Sequence, residues 1–284
     1  MPPPISLVES YDQYFASRLY DRRYPQPNPS TFAAVVGEIG AHGHRVLDVG
    51  CGNGRYADAL LERSEATVVA CDVSRKAIDE LSSRCARHIT GGRLRAVHGD
   101  LSVVASSLEG DARFDVAIML FGVLGHIYSR ALRRQTLAAV RDLLRPGGRL
   151  VVTVPNAARR FAKQQAAAQG LVQGGHLEAG DVLYERAASD VVVKMYYHLY
   201  TVAEFTEDLE QTGFRLIHLR AESILPESGV VRSTMLRGLD RVLAAVVPLR
   251  YAYGFLAIAG TASESNESTP PPYRAIPGPT EQAG

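Results

Sequence analysis

One run of residues, Val46-Leu47-Asp48-Val49-Gly50-Cys51-Gly52-Asn53-Gly54-Arg55-Tyr56-Ala57, carries most of the chemistry the sequence offers. An apolar strand pattern enters a glycine turn and passes straight into a helix pattern. Glycines accept positive φ and let a ligand approach the backbone closely, and a helix N-terminus presents free N–H donors. Two kinds of cofactor use such a turn. The dinucleotide fingerprint G-x-G-x-x-G aims its donors at a pyrophosphate, but here the third glycine, Gly54, falls one place early and Arg55 follows it. Asp48 stands just before the turn, where its charge would repel a pyrophosphate and help hold an ammonium group. A cofactor with an amino-acid end and no phosphate fits these residues better.

Two further groups could do chemistry. His126 closes the stretch Phe121-Gly122-Val123-Leu124-Gly125-His126 at the mouth of an apolar strand. Its ordinary pKa suits a general base, and the position equally suits packing against a cofactor or shaping a pocket. The cluster Tyr196-Tyr197-His198-Leu199-Tyr200 supplies aromatic faces and a second imidazole. Tyr196, Tyr197 and Tyr200, with Phe121, are candidates to stack a planar substrate or grip a cation, and His198 is a second candidate catalytic group. The plain alternative is an amphipathic strand with a tyrosine face.

These residues need elements to position them. His44-RVLDVG, Ala66-TVVACD, Arg93-LRAVHGD, Phe114-DVAIMLF and Gly148-RLVVTV read as five strands. They are separated by helix patterns: Asn53 to Glu62, one opened by Ser74 as N-cap, and about Arg130 to Leu144, stopped by Pro146-Gly147-Gly148. Continuous apolar strands alternating with helices imply a parallel sheet covered on both faces, an α/β doubly wound fold. Beyond Pro155 we expect a polar helix over Ala157 to Ala168, then two β runs, Asp181-VLYER and Val191-VVKMYYHLY, forming a hairpin inserted over the active edge. Thr201-VAE is a capping box for a helix to about Thr212. Strand Phe214-RLIHLR, an apolar helix Met235 to Val247 and a last strand Tyr251-AYGFLAIA complete the pattern. Leu236, Leu239, Val242, Leu243 and Val246 lead us to expect that apolar helix to be buried, with a lid for a lipid-like substrate as the other reading.

The glycine turn resembles motif I of the class I S-adenosylmethionine-dependent methyltransferases, and the resemblance extends over most of residues 11–260. Four motifs occur in order. The resemblance implies a mostly parallel seven-stranded Rossmann-like sheet with an inserted β-hairpin and helical cap at about 156–200, and S-adenosylmethionine as cofactor. It assigns Asp72, in Val69-Ala70-Cys71-Asp72-Val73, to the ribose hydroxyls, and Asp100-Leu101, in His98-Gly99-Asp100-Leu101, to the adenine. Phe114 to Phe121, including Leu120, looks like the fourth-strand motif facing the methyl group, and Leu144-Arg145-Pro146-Gly147-Gly148 matches the turn before the fifth strand. The implied cradle is Asp48, Gly50, Cys51, Gly52, Asn53, Gly54, Asp72, Val73, Asp100, Leu101 and Leu120. Tyr11, Tyr14, Tyr20 and Tyr24 resemble the family's N-terminal lid, with Tyr20 over the cofactor.

Composition narrows the partners. The 284 residues include 31 Lys+Arg and 30 Asp+Glu, a net charge of +1, whereas chains that live on nucleic acid usually carry a basic excess. A small-molecule methyl acceptor, taking the methyl on N or O, is therefore favoured. The alternatives are a tRNA methyltransferase, because Tyr20-Asp21-Arg22-Arg23-Tyr24 and Tyr196-Tyr197-His198 resemble wobble-uridine methyltransferases, and a non-catalytic cofactor-binding scaffold. Cys51, Cys71 and Cys85 are odd in number and lack metal-type spacing, so neither a metal site nor a disulfide scaffold is expected and a cytoplasmic setting is the default. No apolar run reaches the roughly 18 residues of a membrane span. Residues 1–10 and the Pro/Ser/Glu-rich segment 261–284 are expected to be disordered. A homodimer is left open.

Overall fold

The computed structural model describes residues 5–108, 113–188 and 191–262. Residues 1–4 and nearly all of the segment 261–284, both expected to be disordered, lie outside the described residues. Among the described residues there are nine strands: β1 Arg45–Val49, β2 Thr67–Asp72, β3 Leu94–His98, β4 Phe114–Met119, β5 Leu144–Pro155, β6 Asp181–Ala188, β7 Val191–His198, β8 Arg215–Ser223 and β9 Gly254–Gly260. Seven of them form one sheet in the order β3-β2-β1-β4-β5-β9-β8. The pairs β2–β3, β1–β2, β1–β4 and β4–β5 are parallel, while β9 runs antiparallel to both its neighbours. β6 and β7 form a separate antiparallel hairpin.

Alternation along each strand explains why both faces of the sheet are covered. Leu47 and Val49 of β1, with Ala117 and Met119 of β4, enter one core with Leu137, Val140 and Phe205. Val46, Val116 and Ile118 enter the other, with Val35, Ile39 and Leu60. Since β1 is flanked by β2 and β4, the winding reverses there, and a crevice opens beyond the carboxyl ends of these strands.

A third apolar cluster forms the cap. Tyr14, Phe15, Tyr20 and Tyr24 pack against Val182, Tyr184, Val193, Met195 and Tyr197 of the hairpin. The helix Leu7–Ala16 begins inside the stretch expected to be disordered, because Ser6 caps it and the Ser10 hydroxyl donates to the Lys194 carbonyl at 2.8 Å. On the far side, fully buried Arg133 donates to Glu178 at 2.7 Å, and His198 bridges Asp181 and Glu204 at 2.7 and 2.9 Å. This network staples the hairpin to helices Arg130–Leu143 and Val202–Gln211.

Two expectations about helices are corrected. The helix expected over Ala157 to Ala168 is Ala162–Gln173. Asn156 accepts from the Ala158 N–H and donates to the Arg250 and Ala252 carbonyls, so the chain turns once before the helix can start. The helix Thr234–Val246 is not buried: Met235 is 78% and Val246 73% exposed. Its buried side is fixed instead by Asp240, whose carboxylate accepts from the N–H groups of Ile224 and Leu225 at 2.8 and 2.7 Å.

Gly54 caps helix Arg55–Arg63 at φ 84°, and a Cβ there would overlap the buried side chain of Leu81. Gly54→Ala is expected to cost about 1–3 kcal/mol, read as a lower urea midpoint.

Candidate functional site

The crevice opens into a cavity of about 780 Å³. β1 brings Asp48 to its floor, the turn brings Gly50, Cys51 and Gly52, β2 ends on it with Asp72 and Val73, and Asp100 and Leu101 close one end. Leu120 and Phe121 line the side nearest β4, while Tyr11, Phe15 and Tyr20 roof it. The turn approaches its roof closely, because a Cβ on Gly52 (φ 55°) would lie 3.1 Å from the Phe15 ring.

The two acids at the strand ends differ in their surroundings. Asp72 accepts from the Gly52 N–H with one oxygen and from the Ser74 N–H with the other, each at 2.8 Å. Burial raises its pKa, and those N–H donors pull it back. Asp48 is also buried, but its Oδ2 has no partner. Burial, then the charge of Asp72, pushes its carboxyl up to about 7, with Arg55 opposing. An unpartnered carboxylate oxygen beside a glycine turn is a site for a cation. Asp100 is different again: it is exposed and caps helix Leu101–Ser106 by accepting from the Ser102 N–H at 2.9 Å.

These acceptors fit the cofactor the sequence implies. Asp48 would take its ammonium, Asp72 the ribose hydroxyls through remaining lone pairs, and Leu101 with Asp100 the adenine. Negative charge at the turn also argues against a pyrophosphate.

Not every expected cradle residue reaches the cavity. Asn53 lies behind the turn, fully buried, and donates to Asp21 at 2.7 Å and to Glu80 at 3.3 Å, tying down the lid segment. Gly54 turns the chain into the helix and packs on Leu81. Both assignments to the cofactor are corrected on that ground.

Next to the cradle is a smaller chamber of about 50 Å³, sharing Tyr11, Tyr20, Phe121 and His126 with the large cavity. Phe121 divides the two. It sits in the left-handed region (φ 65°), its N–H held by the Thr153 hydroxyl at 2.7 Å. The His126 ring stacks on Tyr197, centroids 4.1 Å apart and 11° from parallel. Its Nδ1 lies 2.9 Å from the Tyr196 carbonyl, which makes Nδ1 the donor and leaves Nε2 an acceptor. Burial, helped by the Arg160 and Arg186 charges, lowers its pKa to about 3. His126 is therefore neutral at ordinary pH, able to accept a hydrogen bond and poor at holding a proton.

Of the tyrosine cluster, only Tyr197 reaches the chamber. Tyr196 donates to Asp181 at 2.6 Å, and Tyr200 is fully buried in the main core. His198 is fully buried with both ring nitrogens on carboxylates. The candidate substrate roles of Tyr196 and Tyr200, and the catalytic role of His198, are corrected: alternation along β7 turns Tyr196 and His198 to the stapling network, and Tyr200, past the strand's end and bridged to Asn156, packs in the main core. Sequence reasoning missed Arg160, Glu222 and Glu227, which line the chamber. Each is a single charged residue near a strand or helix end, with no motif to mark it.

Residues 46–148 match the family described as methyltransferase domain. The O-methyltransferase cnsE of Penicillium expansum is 28% identical over 168 residues, covering 53% of this chain and 58% of that protein. The tRNA 5-carboxymethoxyuridine methyltransferase of Escherichia coli K12 is 32% identical over 123 residues, covering 43% of this chain and 44% of its own. The chain thus spans about half the length of the curated relatives it matches. Among solved structures, the CcbJ methyltransferase of Streptomyces caelestis superposes with a TM-score of 0.61 at 18% identity, covering 91% of this chain and 100% of that one. At that identity the likeness speaks for the fold.

The state of Asp48 sets a pH dependence. Its carboxyl is protonated in the folded ligand-free chain up to about 7, so its contribution to stability falls as pH rises from its unfolded value to about 7. An ammonium ligand needs the ionised form. Affinity for S-adenosylhomocysteine is expected to rise with pH up to about 7, by as much as tenfold per unit, and to flatten above it. Calorimetric titration between about pH 5.5 and 8.5 measures this, and Asp48→Asn should remove the slope.

Proposed function

We propose that the chain is a class I S-adenosylmethionine-dependent methyltransferase and that it moves the methyl group of that cofactor to a nitrogen or oxygen of a small molecule, leaving S-adenosylhomocysteine. The observation that carries the small-molecule reading is the closed, tyrosine-walled chamber beside the cradle, divided from it by Phe121 and roofed by residues of the lid and hairpin. The cnsE relative, named an O-methyltransferase, supports the same reading.

The bound cofactor supplies a methyl group on a positively charged sulfur, already primed to leave. The protein's own tasks are alignment, exclusion of water and management of the methyl acceptor's proton. Asp48 and Asp72 fix the two ends of the cradle. Phe15, Tyr20 and Phe121 shield the join between the two cavities from water. His126 offers Nε2 as a neutral acceptor for an N–H or O–H of the methyl acceptor, orienting the lone pair that attacks. A second reading, methylation of tRNA, draws on the likeness to the tRNA 5-carboxymethoxyuridine methyltransferase.

Incubation with methyl-labelled cofactor and host extract, followed by separation of RNA, protein, lipid and small molecules, tests the proposal. Label is expected in the small-molecule fraction; label in RNA would overturn it. Asp72→Asn is the proper blank. Because both Asp72 oxygens accept from backbone N–H groups and an Asn amide can accept from only one of them, Asp72→Asn is expected to loosen the turn and to weaken cofactor binding by at least about tenfold, with circular dichroism checking that the variant stays folded. With the methyl acceptor identified, His126→Phe should lower kcat/KM by at least about tenfold and leave S-adenosylhomocysteine affinity within about twofold. The pH profile of the unmodified enzyme should show no limb from His126 above about pH 3. A limb near 7 belongs to Asp48 and should vanish in Asp48→Asn.

A further inference from the structure

The chamber holds two carboxylates that the cofactor does not use. Glu222, at the end of β8, is 8% exposed, and Glu227, opening helix Glu227–Arg232, is 7% exposed; both line the chamber. Each has an Oε1 with no hydrogen-bond partner, and no Lys or Arg nitrogen pairs with either among the described residues. Room for them is built in, since a Cβ on Gly254 would lie 2.7 Å from Glu222 Oε2. Arg160 lies across the chamber with its Nε also unpartnered, its guanidinium 4.6 Å from the Tyr253 ring centre and 5.3 Å from that of Tyr197. Buried polar groups without partners cost about 1–3 kcal/mol each, so three of them facing one chamber point to a ligand that satisfies them.

We infer that Glu222, Glu227 and Arg160 anchor the methyl acceptor, and that this acceptor is an uncharged planar ring compound with hydrogen-bond donors and acceptors at its edge. The inference rests on the small-molecule reading above and narrows it. Tyr14, Tyr24, Tyr184, Tyr197, Tyr253 and Phe121 provide flat apolar walls, which select a ring. Charge selects its neutrality. A cation drawn to the glutamates would meet Arg160 and Arg186, and an anion drawn to the arginines would meet the glutamates. Burial raises the pKa of both glutamates, the Glu227 charge adds to the rise at Glu222, and Arg160 and Arg55 oppose it. A carboxyl that keeps its proton beside one that does not offers an O–H donor next to an acceptor. A lactam-like N–H and C=O edge complements that pair, and Arg160 can donate to a second acceptor atom.

The test uses the full chain saturated with S-adenosylhomocysteine and titrated calorimetrically with ring compounds of one size: 2-quinolone, 1-methyl-2-quinolone, 2-naphthoate and 2-naphthylmethylamine, with uridine 5′-monophosphate as the nucleotide. 2-Quinolone should bind at least about tenfold more tightly than its N-methyl derivative, the equivalent of about 1.4 kcal/mol. It should also bind more tightly than either charged ring and the nucleotide. In Glu222→Met and Glu227→Met the gap between the two quinolones should shrink to within about twofold, with S-adenosylhomocysteine affinity unchanged. A gap that persists in the variants is steric and overturns the anchor. Preference for a charged ring or the nucleotide, or no binding by any of the five, overturns the substrate class. If a methionine variant fails to fold, the ranking on the unmodified chain and on Arg160→Met still decides. Failure of S-adenosylhomocysteine itself to bind is a separate result, and it removes the methyltransferase reading along with the inference.

Discussion

The Asp72 carboxylate joins the two turns that make the cofactor cradle. One oxygen holds the glycine turn after β1 through Gly52, and the other holds the turn after β2 through Ser74. Ser74 in turn accepts from the Ala77 N–H and donates to Asp12, which also accepts from the Lys76 N–H. A single buried charge thus links two strand ends, a helix start and the N-terminal lid. Both oxygens are hydrogen-bonded to backbone N–H groups, which oppose the rise in pKa that burial imposes on Asp72. Asp48, one strand away, lacks such support, and its Oδ2 has no hydrogen-bond partner. The difference between the two acids is one of hydrogen bonding: one ties backbone turns together and the other does not.

The substrate side is built on the opposite logic. Its charges come from segments far apart in the chain, with Arg160 after β5, Arg186 on β6, Glu222 on β8 and Glu227 beyond it. They are spread around aromatic rings rather than paired. Phe121, held at positive φ by Thr153, stands where the two regions meet. Backbone strain of this kind costs about 1–3 kcal/mol and persists where the surroundings over-determine it.

How much of this could be read in advance depends on whether the information is local. Strands buried on both faces are continuous apolar runs, so β1 to β5 and the parallel winding were legible, as were the Ser74 and Thr201 caps. The glycine turn was legible because its glycines are neighbours in sequence, and the structure brings it together with Asp48 and Asp72 on one cavity. Where a side chain answers a distant backbone group, the reading failed. Periodicity shows which residues of Thr234–Val246 share a face, but two N–H groups at Ile224 and Leu225 decide which face turns inward. Likewise the tyrosine cluster could be recognised as a strand, while the direction of its alternation was set by Asp181 across the hairpin and by Glu204 on helix Val202–Gln211. Glu222 and Glu227 carry no local mark at all.

The order β5-β9-β8 has a consequence for how the chain acquires its parts. Among the described residues the last strand in chain order, β9, is not an edge; it lies between two earlier ones, pairing with β5 through seven residues and with β8 along its other side. Until it arrives, β5 has an open edge and β8 has no neighbour. The cradle, by contrast, is assembled from β1, β2 and β4, which are complete well before. During synthesis the chain therefore completes the strands that line the large cavity while Glu222, on β8, still has no sheet to stand on. The slow, non-local closure expected of late strand insertion falls on the half of the molecule that carries Glu222 and the small chamber.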